Sequence, residues 1–96
     1  MSATCPQLGF DVRLTPRGNL EPRVLFALRR AFAACIEGRS LAYTGTSNAA
    51  EWAYVVWRDG SQADDLDREA LRAWVAEQPA IEHASIGLLF DVERSE

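Results

Sequence analysis

The side chains able to do chemistry are few and far apart. His83 is the single histidine. A histidine-assisted nucleophile needs three residues meeting in space. His83 falls at a loop or strand start, where a lone histidine is ordinarily solvated or structural. Asp64, Asp65 and Asp67 form an acidic cluster of a kind that attracts Mg2+ or Ca2+. The cluster lacks the glycine and terminal Glu of an EF-hand ligand series, and a helix N-terminus accounts for it without metal. Gly45-Thr46-Ser47-Asn48 is a hydroxyl-rich turn that could hold an anion. A strand follows it, so no helix dipole stands behind it. CxxC, HExxH and P-loop patterns are absent. The expectation is no catalytic residue, no metal and no cofactor.

Binding is better provided for. Residues 51–58, Glu-Trp-Ala-Tyr-Val-Val-Trp-Arg, are rich in aromatic and β-branched side chains and read as a strand. If Ala53, Val55 and Trp57 face the helices, then Trp52, Tyr54 and Val56 face the open side of the sheet. The inverse assignment has the same period. Aromatic side chains on an open sheet face stack RNA bases in RRM domains, and Arg13 would lie beside them. The competing reading packs Trp52 and Tyr54 under a loop, a tail or a second copy of the chain. An acidic chain without an RNP-like Gly-aromatic motif favours burial or self-association. Arg23, Arg29 and Arg30 add local positive charge to the first helix. A solvated helix face is the ordinary explanation for them, with the Arg29 stem partly packed on the core edge.

These residues must be positioned by a small domain. Ninety-six residues, 48% apolar and 25% charged, make one globular domain spanning 1–96, with an ordered core over about 8–92. No apolar run approaches the ~18–20 residues needed to span a bilayer. Met1 to Gln7 has neither a basic nor an apolar leader segment, so a cytoplasmic location is expected. Cys35 reads as a small buried hydrophobe, and a Cys5–Cys35 disulfide is disfavoured in a reducing compartment. The net charge is −4 and every basic residue is arginine. General attraction to nucleic-acid backbone is therefore missing, and neither DNA nor membrane is an expected partner.

Residues 8–15 alternate, with Phe10, Val12 and Leu14 on one side, as in a half-buried strand. After a turn at 15–19, Asn19 reads as the N-cap of a helix with Pro22 in its first turn. Leu25, Leu28, Phe32, Cys35 and Ile36 form its apolar stripe, and Gly38 reads as its C′ residue. Short strands follow at 40–44 and 51–58. Asp64 then caps a second helix carrying Leu66, Ala70, Leu71, Trp74 and Val75, which Pro79 stops. A last strand within 84–92 would put Ile86, Leu88, Phe90 and Val92 on one face. The order β-α-β-β-α-β predicts an α+β, ferredoxin-like sandwich, with four antiparallel strands and two helices on one face.

Four short patches recur in order: Leu8-Gly9-Phe10-Asp11-Val12, Leu41-Ala42-Tyr43-Thr44-Gly45, Arg72-Ala73-Trp74-Val75 and Leu89-Phe90-Asp91-Val92. Together, over roughly residues 7–92, they resemble the YggL-type family of small 50S ribosome-binding proteins. The resemblance implies a non-enzymatic, cytoplasmic protein that associates with the large ribosomal subunit, through protein, rRNA or both, during its assembly or maturation. It carries over no binding residue. Gly9 would permit unusual backbone at the start of the first strand. Family members carry a basic stretch ahead of that strand, and Met1 to Gln7 has no basic residue. The family tryptophan near the third strand stands one position from Trp52, and a one-residue shift in a strand changes face. The alternative function is a protein-interaction or small-ligand regulatory module on the open sheet face, with a homodimer as one form of it.

Overall fold

Alternation along the first strand decides which way the sheet faces. In a computed structural model, which describes residues 7–48 and 50–92, β1 (Leu8–Pro16) buries Phe10, Val12 and Leu14 and exposes Asp11 and Arg13. It is followed by α1 (Pro22–Gly38), β2 (Ala42–Ser47), β3 (Trp52–Trp57), α2 (Asp65–Ala76), β4 (Ile81–Ile86) and β5 (Phe90–Asp91). The strands form one antiparallel sheet in the order β2-β3-β1-β4, with β5 also pairing with β1. Among the described residues the fold is α+β, with two helices and five strands.

The helices cover the face that carries Phe10, Val12 and Leu14. Leu28, Phe32 and Ile36 of α1 and Leu71 of α2 join that face in a single buried cluster. Phe32 is its hub. Its ring lies 5.0 Å from Tyr54, 5.6 Å from Tyr43 and 5.8 Å from Trp74, so one side chain ties α1 to both strands of the β2–β3 hairpin and to α2. Burying a side chain of this size contributes about 1.5–3 kcal/mol.

The element boundaries depart from the expectations for local reasons. The first helix is capped at Glu21 rather than Asn19, because the residue before a proline is driven to extended backbone and Glu21 has ψ 150. Asn19 instead takes the left-handed turn position, with φ 68. Gly38 lies inside the helix. Ser40 adopts the left-handed conformation, φ 60, and Leu41 and Ser40 donate to the carbonyls of Ile36 and Glu37 in a Schellman closure. The turn foreseen at 45–48 is strand as far as Ser47. The reversal comes at Asn48, whose side-chain oxygen accepts from the amides of Ala50 and Glu51 at 2.7 and 2.8 Å.

The expected last strand is two strands. Val12 pairs with Ile86 and Gly9 with Phe90, so Gly87, Leu88 and Leu89 stand opposite only Phe10 and Asp11. One extra residue reverses the side-chain alternation. Ile86 therefore lies on the helix-covered face, Phe90 on the other, and Leu88 is exposed. On α2 the stripe is also displaced: Leu66 points to solvent while Asp67 and Arg68 are buried.

Candidate functional site

Of the two face assignments open to β3, the structure takes the one that puts Trp52 and Tyr54 under the helices. Val12 pairs with Tyr54, Phe10 with Val56 and Leu14 with Trp52, and cross-strand partners share a face. Trp52, Tyr54 and Val56 are thus in the core beneath the helices, and Ala53, Val55 and Trp57 are on the open side. Trp52 and Tyr54 form no stacking platform. Larger apolar area on the core face accounts for this choice: each face carries one tryptophan and one valine, and burying Tyr54 removes more apolar surface than burying Ala53. Trp52 also satisfies its indole N–H there, donating to the Asn48 carbonyl at 3.1 Å.

Arg13 is on the open face as expected, but the aromatics are not beside it. It pairs with Ala53 on one side and Ser85 on the other. Trp57 is four residues further along β3, about 13 Å away at the strand rise. Trp57 and Phe90, with Gln7, Thr44, Val55, Asp59 and Val92, line an open cleft of about 410 Å3. The indole of Trp57 donates to Asp59 at 2.9 Å. The inverse face assignment contains Trp57; Phe90 becomes visible only through the extra residue before β5.

Arg23, Arg29 and Arg30 gather on α1. From Pro22 to Ile36 there are three arginines and no acidic residue, so this helix is a basic surface on an acidic chain. Arg23 pairs with Glu21 at 3.2 Å, with both side chains well exposed. Arg29 and Arg30 make no ion pair among the described residues. Arg30 lies 5.8 Å from the ring of Phe26, which is 58% exposed. Arg29 and Phe26 line a cleft of about 430 Å3 with Pro22, Leu25, Asn48 and Trp52. A charged rim around an exposed aromatic suits phosphate contact together with base or apolar contact.

The acidic cluster is an ion-pair and capping device. The Asp64 side chain accepts from the Asp67 amide at 3.0 Å, and the Asp67 side chain accepts from the Asp64 amide at 3.1 Å, closing a capping box. The fully buried Asp67 carboxylate also takes Arg58 at 2.6 Å and Arg39 at 3.0 Å. Burial pushes this carboxyl up, but the hydrogen bonds from Arg58, the Asp64 amide and Arg39, with the Arg58 charge, outweigh it and hold it below the ordinary carboxylate range. Arg68 reaches Asp65 at 2.9 Å and the Gly87 carbonyl at 2.7 Å. Among the described residues no group of His, Cys, Asp or Glu side chains is placed to hold a metal. His83 is exposed on β4, opposite Thr15. Cys35 is a half-buried free thiol, and its burial raises its pKa against a smaller lowering by Arg39. Cys5 lies outside the described residues. Among the described residues no helix is long and apolar enough to cross a membrane.

Comparison with curated proteins found no match. A family model described as YggL 50S ribosome-binding protein matches residues 5–93. That span takes in the strands and helices of the described residues, and the chain belongs to the YggL 50S ribosome-binding protein family.

Proposed function

We propose that this chain is a non-enzymatic cytoplasmic protein that binds the 50S subunit and contacts rRNA through the exposed face of α1. Family membership supports the partner. The single observation supporting the surface is the pair Arg29 and Arg30, free of ion pairs among the described residues and adjacent to the exposed Phe26 ring. Arg39 and Arg58 hold Asp67, Arg68 holds Asp65, and Arg72 holds Glu69; Arg13 is also without an ion pair among the described residues, but it stands alone on the open sheet face with no exposed aromatic ring beside it. The stretch from Pro22 to Ile36 lets a chain of net charge −4 present local positive charge to phosphate, with Glu21 and Glu37 only at the two ends of α1. The fold serving this role is ferredoxin-like in its β2-β3-β1-β4 order, with β5 as an addition. A role in assembly or maturation of the subunit, which the family resemblance suggests, is part of the proposal.

A second reading uses the open sheet face as a protein-interaction or small-ligand module. The observation favouring it is the Trp57–Phe90 cleft, which replaces Trp52 and Tyr54 as the aromatic surface. Substitution separates the two. Arg29→Ala with Arg30→Ala abolishes or strongly weakens 50S binding in the first reading while Trp57→Ala leaves it intact; in the second reading the arginine pair is dispensable and Trp57→Ala removes binding at the cleft.

A further inference from the structure

We infer that β2 is the self-association edge of this protein, pairing antiparallel with β2 of a second copy to join two sheets into one. β2 occupies one end of the β2-β3-β1-β4 order, so one side of its backbone has no strand neighbour. Tyr43, Thr44, Gly45 and Thr46 are all exposed. Edge strands ordinarily carry a lysine, a proline, a bulge or an inward charge against this kind of pairing. Ala42-Tyr43-Thr44-Gly45-Thr46-Ser47 has none of these, and its pairing with β3 runs without a register shift. The edge formed by β4 differs: it carries Glu82 and His83, and its pairing with β1 is irregular at Thr15 and Pro16.

The side chains of β2 complement themselves. A two-fold axis perpendicular to the sheet keeps the core faces of both copies on the same side, which requires residues of like parity to pair. Pairing Thr44 with Thr44 of the second copy sets each Tyr43 opposite the other copy's Gly45 and each Ala42 opposite Thr46. The Tyr43 ring already lies 5.3 Å from Tyr54 and is 36% exposed at the edge, so it is placed to cover a neighbouring glycine. Gly45 must remain without a side chain for an independent reason. A Cβ there would clash with the Ala53 carbonyl and lie 2.8 Å from the Tyr54 Cα. Charge favours this edge over other surfaces as well. Two copies of net charge −4 repel, and the six residues of β2 bring no charge to the contact.

Sedimentation equilibrium of the purified full chain from micromolar to millimolar concentration tests the inference. The expected result is a reversible monomer–dimer equilibrium, with a limiting mass twice the 10.7 kDa chain. Thr44→Lys puts like charges directly opposite each other and weakens the dimer by up to about fivefold. Glu82→Lys, on the other edge, leaves the dimer intact. Circular dichroism melting of Thr44→Lys confirms that the monomer is folded. Amide hydrogen exchange then reads the interface directly, with added protection in residues 42–47 as concentration rises. A chain that stays monomeric at millimolar concentration overturns the inference. So does a dimer indifferent to Thr44→Lys, protection confined to β4, or β2 protection that arises only on addition of 50S particles.

Discussion

A guanidinium nitrogen of Arg58 lies 2.6 Å from the buried carboxylate of Asp67, fastening the end of β3 to the first turn of α2. The same oxygen takes Arg39, just past α1, and the Arg39 carbonyl accepts from Arg58 at 2.7 Å. Three elements thus meet on one carboxylate. Removing the carboxylate deletes its charge-assisted hydrogen bonds and leaves Arg58 and Arg39 to partial solvent exposure, so Asp67→Ala is expected to cost about 1.5–3 kcal/mol. Urea denaturation checks this. A loss no greater than that of an exposed carboxylate such as Glu69 would contradict it.

Acid should dissolve the same junction. The Asp67 carboxyl is held below its ordinary value in the folded chain, so the unfolded chain takes up its proton first as pH falls. The stabilisation is complete above the ordinary carboxylate value. It is lost as pH drops through the folded-state value. Thermal melts of wild type and Asp67→Asn across that range should converge at the acid end, because the variant has no such proton to take up.

Gly9 is required by close packing, whereas the sequence suggested unusual backbone. A Cβ at Gly9 would run into the Val56 carbonyl and lie 2.8 Å from Val92 Cγ1. Gly9→Ala therefore forces β1, β3 and the chain after β5 apart, at about 1–3 kcal/mol. Gly18→Ala, where nothing lies within 4 Å, is the matched control and should change stability little. Chemical denaturation of both variants measures the difference.

Cys35 should be a slow thiol. Burial raises its pKa, so less thiolate is present at neutral pH than on an ordinary exposed cysteine. Labelling by a thiol-specific reagent, read at Cys35 by peptide mass spectrometry, should be slow in the folded chain and rise sharply on unfolding in urea. Equal rates in both states would contradict the packing around α1.

The order of elements up to β4 was legible because Phe10, Val12 and Leu14 alternate and the helices carry apolar stripes. The face of β3 was not, since Trp52, Tyr54 and Val56 alternate with residues that are also apolar, and period two alone does not choose between them. The break before β5 was hidden because Ile86, Leu88, Phe90 and Val92 keep the period while one extra residue reverses what it means. Burial of Asp67 and Arg68 was equally hidden: their partners Arg58, Arg39 and Gly87 are distant in sequence. The candidate site was legible in part. Arg29 and Arg30 were visible as local charge, but their freedom from ion pairs depends on where every nearby carboxylate ends up.

Co-sedimentation of the purified chain with 30S, 50S and 70S particles across a salt series tests ribosome binding through α1 most directly. Selective binding to 50S, weakening as salt rises, is expected. Replacing Arg29 and Arg30 by alanine should weaken it and reduce the salt slope by about one for each phosphate that an arginine no longer neutralises. A chain that stays in the supernatant at the lowest salt, or binding untouched by removal of both arginines, would contradict it.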